Sequence, residues 1–313
     1  MTASLRLLAV LVVSASLPSW GQNALLVKGA WPSATDSLTP VPEGGSIANG
    51  VYTNRYFGLS YALPADWLQK SAGPPPSDSG SYILTLLKSS NAFKGPRASI
   101  LITAQDMFFM PAPVTTAPEL INYTKSHLQA DYKLELEPTE TKIAGQSFAS
   151  FGYWSPSTEL HWRVLATEIR CHTVEFVLMS RDPKALDSLV LEMNKMSFLA
   201  EANPGAGAGG TAAPVCVRNY ATAENVIERV DPVFIEHKFN PVPLRVIIDR
   251  EGTVRYIHFL SAFPDQAKAI TEALAHWKFR PYLQDGKPVE VETGIMFGRV
   301  PHLMMLSDSS ANK

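Results

Sequence analysis

Cys171 and Cys216 are the whole cysteine complement of this 313-residue chain, and their chemistry can join its distant parts. In an oxidising compartment two such thiols either pair or sit buried and free. Both alternatives stand on the sequence. As a disulfide, the pair would tie a first domain to the segment beyond a glycine-rich linker. Closing that loop would contribute up to ~4 kcal/mol. Nothing marks a general base beside either cysteine, so a nucleophilic thiol is not indicated.

The other chemistry-bearing patterns lack the context their chemistry needs. Gly205-Ala206-Gly207-Ala208-Gly209-Gly210 formally holds a Gly-x-Gly-x-x-Gly. A dinucleotide loop requires a helix N-terminus after it, but Pro214 follows and no helix begins, so this reads as linker. Gly145-Gln146-Ser147-Phe148-Ala149 misses the last glycine of a nucleophile elbow and stands at a strand start. The seven histidines show no His-Glu-x-x-His and no His-x-His. Cys171 and His172, adjacent on a strand, would face opposite ways, whereas zinc needs three or four convergent ligands. His276 reads as a half-exposed residue at a helix C-terminus, where the dipole favours it. With no catalytic, cofactor-binding or metal residues to name, the chain reads as a non-enzyme without a cofactor.

The elements that position these residues come in two groups. Near the C-terminus, Leu244, Val246 and Ile248 alternate with Arg245, Ile247 and Asp249, the period of a strand with unlike faces. Asp249-Arg250-Glu251-Gly252 turns the chain, with Gly252 free to take positive φ. Val254, Tyr256, His258 and Leu260 alternate on the way back. Ala267, Ile270, Leu274 and Trp277 form one stripe of a short helix with Asp265 as its N-cap, and residues 289–297 return to period two. Before the linker, strands are expected at 82–88, 98–103, 142–154, 159–170 and 173–180. Helices are expected at 118–132, with Leu120, Ile121, Thr124 and Leu128 inward, and after Asp182-Pro183, with Leu186, Leu189, Val190 and Met193 inward. Residues 223–230 suggest a further helix. The aromatic set Tyr153, Trp154, Trp162 and Phe176 reads as core. Phe108-Phe109-Met110-Pro111 reads either as a partner-binding patch or as a loop folded under the sheet.

Three segments of the C-terminal group resemble the C-terminal domain of TonB-type energy transducers. These are Val246-Ile247-Ile248-Asp249-Arg250-Glu251-Gly252-Thr253-Val254, Ala273-Leu274-Ala275-His276-Trp277-Lys278-Phe279-Arg280-Pro281 and Asp285-Gly286-Lys287-Pro288-Val289. Asp231-Pro232-Val233-Phe234 is only a degenerate counterpart of that family's Pro-x-Tyr-Pro element. The resemblance implies a ββαβ module that meets a short segment of an outer-membrane receptor by strand addition, since an open sheet edge offers unpaired N–H and C=O groups. The strand it singles out is 289–297, with Val289, Val291, Thr293, Ile295 and Phe297 as partner-binding residues and Glu290 and Glu292 guarding the edge. The opening of the first group, Tyr52, Asn54, Phe57-Gly58-Leu59-Ser60-Tyr61 and Pro64-Ala65-Asp66-Trp67, with its element order, resembles PsbP-like α/β/α domains. That implies a non-catalytic binding or assembly module.

The expected architecture is therefore α+β with two domains. It comprises a signal peptide at 1–21, an extended lead-in at 22–49 with a strand at 24–27, and a PsbP-like α/β sandwich at 50–200. A Gly/Ala-rich linker at 203–214 would span about 20 Å if free. A TonB-like ββαβ domain at 215–300 and a tail at 301–313 complete the chain. Hydrophobic residues make up 46 % and charged residues 18 %, a globular composition. Arg6, the apolar run 7–13 and Ser19-Trp20-Gly21 before Gln22 have the form of a secretory signal, too short to span a bilayer. The formal net charge is −2, and −3 once Arg6 is removed. There is no basic block, which argues against nucleic-acid binding. The expected partner is a protein, with an outer-membrane receptor peptide as the candidate. The expected place is periplasmic or secreted. The alternative is a divergent energy transducer anchored in the inner membrane by an uncleaved N-terminal segment, the one case in which the membrane would be a partner.

Overall fold

The computed structural model describes residues 44–72, 80–90, 97–109, 114–198, 214–233 and 241–298, with short pieces at 31–32 and 42. The signal segment, the strand expected at 24–27, linker residues 203–213 with their glycine pattern, Met110-Pro111, Phe234 and the tail lie outside the described residues. The fold is α+β, mostly sheet. No helix of the described residues is long and apolar enough to cross a membrane.

In the first part, β1 (Ser46–Ala48), β2 (Val51–Asn54) and β3 (Leu59–Ala62) form a small antiparallel sheet. It is followed by β4 (Trp67–Ala72), β5 (Ser81–Ser89), β6 (Ala98–Asp106) and helix α1 (Ala117–Ser126). Next come β7 (Lys133–Ile143), β8 (Gln146–Ser155), β9 (Leu160–Ile169), β10 (His172–Ser180), helix α2 (Pro183–Glu192) and β11 (Ser197–Phe198). Seven strands pair antiparallel in the order β4-β5-β6-β10-β9-β8-β7, and β11-β3-β2-β1 make a second sheet. On one face, α2 and the small sheet enclose Tyr52, Tyr61, Ile100, Phe176, Leu186 and Met193. On the other, Ala117 and Ile121 of α1 pack on Phe151, Val164 and Ala166. Burying apolar surface at roughly 25 cal/mol per Å² makes these two layers the main source of cohesion.

Helix ends follow their capping chemistry. Thr116 caps α1, with Pro118 in its first turn, and the Glu119 carboxylate accepts from the Thr116 N–H at 3.2 Å. Asp182 caps α2 by accepting from the Lys184 N–H at 3.0 Å, ahead of Pro183. The first helix is shorter than expected, ending at Ser126 instead of 132. The expectation also passed over β7, where Lys133, Glu135 and Glu137 alternate with Leu134 and Leu136. As the outermost strand of the sheet it is polar and half-exposed. The strand expected at 142–154 is cut by a turn in which Ala144 and Gly145 both have positive φ, which places Ser147 just inside β8.

The C-terminal part holds β12 (Val215–Cys216), β13 (Val242–Ile248), β14 (Val254–Phe259), helix α3 (Pro264–Leu274) and β15 (Val291–Phe297). The sheet order is β12-β15-β13-β14, with β12 parallel to β15 and the rest antiparallel. Leu244, Val246, Ile270, Leu274, Trp277 and Phe279 share its core. The Asp249 turn has a definite cause: its Oδ1 accepts from the N–H groups of Glu251 (3.1 Å) and Thr253 (2.7 Å). Gly252 sits at φ +83°, and a Cβ there would lie 2.0 Å from the Phe279 carbonyl oxygen. The N-cap of α3 is Phe263, with Pro264 in the first turn and the Phe263 N–H donating to Gln266 Oε1 at 3.2 Å. Asp265 therefore stands inside the helix and does not cap it. The helix expected at 223–230 is a turn followed by a strand, Val226–Glu228, which pairs with Lys278–Phe279.

Candidate functional site

The strand singled out for docking, β15, is an interior strand over its first residues. Antiparallel β13 lies on one side. On the other, Val215 and Cys216 run parallel to Val291 and Glu292. The Val215 and Val217 N–H groups donate to the carbonyls of Glu290 (2.8 Å) and Glu292 (3.0 Å). Beyond them, the Tyr220 N–H donates to Thr293 Oγ1 at 3.3 Å. Val291, Thr293, Ile295 and Phe297 are buried on the inner side of the sheet, three of them in the α3 core. Val289 pairs with Tyr282 in a short hairpin. The expectation of an open edge with these side chains turned to a partner is corrected: their alternation is that of a core strand, and the border is filled over residues 290–293 by the chain's own segment.

Cys216 of that segment is bonded to Cys171. Cys171 reaches it from the β9–β10 turn, where Arg170 and Cys171 both take positive φ, the two-residue turn that matches strand twist. The loop between the two cysteines spans 45 positions, so closing it is worth about 4 kcal/mol.

Behind the disulfide lies a buried polar cluster that joins the two parts of the chain. Arg245, from β13, is 3 % exposed. Its Nη1 donates to Tyr56 Oη (3.0 Å) and to His172 Nε2 (3.2 Å), and its Nη2 donates to Glu292 Oε1. His172 Nδ1 lies 2.7 Å from the Arg170 carbonyl. Nδ1 therefore carries the proton, and Nε2 is free to accept. Asp106, at the end of β6, puts Oδ2 3.2 Å from Arg245 Nε. Neither atom has a well-directed hydrogen bond, so this contact is a charge pairing only. Asp106 Oδ1 accepts from the Phe108 N–H at 2.9 Å. The Phe108 ring centroid is 5.6 Å from the Arg245 guanidinium carbon.

Burial sets the charges of this cluster. It pushes the Asp106 carboxyl up to about 6, against the downward pull of Arg245. Burial, then Arg245, hold His172 well below its ordinary value, so it stays neutral. For Arg245, burial works against the charge, but Glu292, Tyr56 and Asp106 outweigh it and the guanidinium remains protonated. One cation thus faces two carboxylates, one of them raised.

This arrangement is a bolt between two cores. Gly294 confirms how closely they meet: a Cβ there would lie 2.6 Å from Phe108 Cβ and 3.2 Å from Phe109 Cζ. Phe108 and Phe109 therefore meet the chain's own β15. Glu292 does not guard an edge but turns in to Arg245. Tyr153 and Trp154 are half-buried, while Trp162 and Phe176 are buried. His276 is exposed just past α3. Among the described residues no three His, Cys, Asp or Glu side chains converge as a metal-holding group. The sequence reading missed Arg245, Asp106, Tyr56 and His172 as a unit. A signal existed in Arg245 alone, a charge inside the otherwise apolar run 242–248, which is expensive unless paired.

No family model matches the chain. No curated protein matches it either. Among solved structures, the solution structure of cyanobacterial PsbP (CyanoP) from Synechocystis sp. PCC 6803 is similar. The match covers 57 % of this chain and 99 % of that chain, at 14 % identity and a TM-score of 0.32, a likeness too slight to carry an argument.

Proposed function

We infer that this is an exported, non-catalytic envelope protein that binds a protein partner by strand addition at the β15 border. The observation that carries this reading is the occupant already there. A strand of two residues from elsewhere in the chain lies parallel on β15 and is held by backbone hydrogen bonds. A border that accepts one distant segment of its own chain through the main chain has the chemistry to accept a segment of another. The strand, Asp-x-x-Gly turn, helix and final strand follow the order of a TonB-type module, and the seven-stranded sheet with helices on both faces follows that of a PsbP-like domain. The first of these fits a binding module, and an outer-membrane receptor segment is the partner class it implies.

The test disables the chain's own strand. A Val215→Pro/Cys216→Ser/Val217→Pro chain lacks both N–H groups that hold β12. Immobilised, it should retain a protein from an envelope extract, and the Glu292 amide should exchange more slowly in the complex. Retention with a footprint elsewhere, or no retention, refutes the reading. The second reading, a divergent membrane-anchored energy transducer, is separated by the mass of the mature N-terminus. The bolt between the two parts favours the first, since a transducer must extend across the periplasm.

A further inference from the structure

The strand that closes the β15 border is short, and its surroundings leave it free to lift. Val215–Cys216 pairs with Val291–Glu292, held by the Val215 and Val217 N–H groups donating to the Glu290 and Glu292 carbonyls. A few residues later the chain is firmly anchored. The Tyr220 ring sits in the α3 core, and its hydroxyl donates to the Arg280 carbonyl at 2.6 Å. Residues 214–216 can therefore leave the sheet without disturbing the core, with Val217, which packs against that core, and Arg218, whose Nη1 donates to the Val114 carbonyl at 2.7 Å and whose carbonyl accepts from Thr293 Oγ1 at 3.4 Å, as the hinge. What ties them down is the covalent bond to Cys171.

The two sulfurs differ in access. Cys171 is 3 % exposed, whereas Cys216 lies at the surface. An incoming thiolate therefore meets Cys216. Cys171 Sγ lies 3.3 Å from Glu292 Oε2, so a thiol formed at Cys171 has a carboxylate acceptor in place. We propose that Cys171–Cys216 is a reducible latch. Closed, it seats the chain's own Val215–Cys216 strand on β15; opened by a dithiol, it frees that border for an extended segment of a protein partner.

The chemistry balances. One thiolate of the dithiol bonds to Cys216 Sγ, the Cys171–Cys216 bond breaks, and Cys171 leaves with the electron pair and takes a proton. The second thiol of the reductant then displaces Cys216, which is protonated in turn. The protein gains two electrons and two protons, and the dithiol leaves as its disulfide. Glu292 is drawn inward by Arg245, so the uncovered border presents a backbone there and not an outward carboxylate. The partner half of the proposal rests on the strand-addition reading above; the latch half does not.

The test is residue-resolved hydrogen exchange on the full chain, oxidised and after dithiothreitol. The parallel register turns the Glu292 amide toward Val215, whereas Val246 lies inside the sheet between Thr293 and Ile257. Reduction should speed Glu292 exchange by about 10-fold or more and leave Val246 unchanged. Cys216→Ser should reproduce this without reductant. Unchanged Glu292 exchange in both overturns the latch, because the strand then holds by its own bonds. Equal acceleration at Val246 also overturns it, because the disulfide is then a staple for the whole sheet. A synthetic peptide of residues 213–219, with serine for the cysteine, should restore protection to the reduced chain. If the latch opens and the peptide does not restore protection, the strand-addition reading fails at this border while the latch stands. A dimer on reduction would replace the partner with a second copy and overturn that assignment.

Discussion

Replacing Arg245 by Met keeps the length of the side chain and removes its charge. In the folded chain Arg245 stands between Asp106, Glu292, Tyr56 and His172, and it is almost wholly buried. Its loss leaves two carboxylates facing one another in a dry interface, with Tyr56 and the neutral His172 each losing a donor. Removing one partner of a buried ion pair costs about 3–5 kcal/mol, because the remaining charge stays buried and uncompensated. At about 2–4 °C per kcal/mol for a structure of this size, the midpoint should fall by about 6–20 °C. Thermal and denaturant unfolding of Arg245→Met against the native chain, both oxidised, measures this. The cause is separable. An Asp106→Asn/Arg245→Met/Glu292→Gln chain has no buried charge left in the cluster and should recover most of the loss, since neutral groups cost less to bury than an unpaired charge. A loss below about 1 kcal/mol for the single variant would refute the reasoning, on the scale of an exposed pair. So would a triple variant no more stable than the single one, since the lost stability would then be packing and not charge.

Two further outcomes follow from the same interface. Gly294→Ala should cost about 1–3 kcal/mol, since a Cβ 2.6 Å from Phe108 Cβ must force the two parts apart; Ala tolerated at native stability would show a looser contact. For Asp106, the folded carboxyl is raised to about 6 from the ordinary 3.8, so between those values the folded chain binds more protons than the unfolded one. Its contribution is therefore most favourable below pH ~4 and is lost as pH rises through about 6, by roughly 3 kcal/mol in all. Asp106→Asn lacks this titration, so the stability of the native chain relative to the variant should fall by about that amount between pH ~3.5 and ~6.5. A flat difference by denaturant unfolding would mean that Asp106 is not desolvated as described.

What the sequence alone determined about this protein is local. The alternation of Leu244, Val246 and Ile248, the Asp249–Gly252 turn and the Asp182-Pro183 helix start depend on neighbours a few residues away and are found as read, and so are Ala267, Ile270 and Leu274 of the α3 stripe, whereas Trp277 is buried but lies past the helix end at Leu274. Errors came where local pattern is ambiguous. β7 is polar enough to pass for a loop, and 223–230 has a helical composition that pairing with Lys278–Phe279 overrides. Only the tertiary structure decided who neighbours whom. The period of β15 showed that Val291, Thr293, Ile295 and Phe297 share a face; it could not show that the face is the core, or that Val215–Cys216 arrives from 76 positions away to close the border over its first residues. Nor could it choose between a disulfide and two free thiols for Cys171 and Cys216, because that depends on a turn and a distant strand meeting in space. The Arg245 cluster draws on Tyr56, Asp106, His172 and Glu292 from four separate strands and turns besides its own. Its charges are set by shared desolvation, which exists only once the two parts have come together.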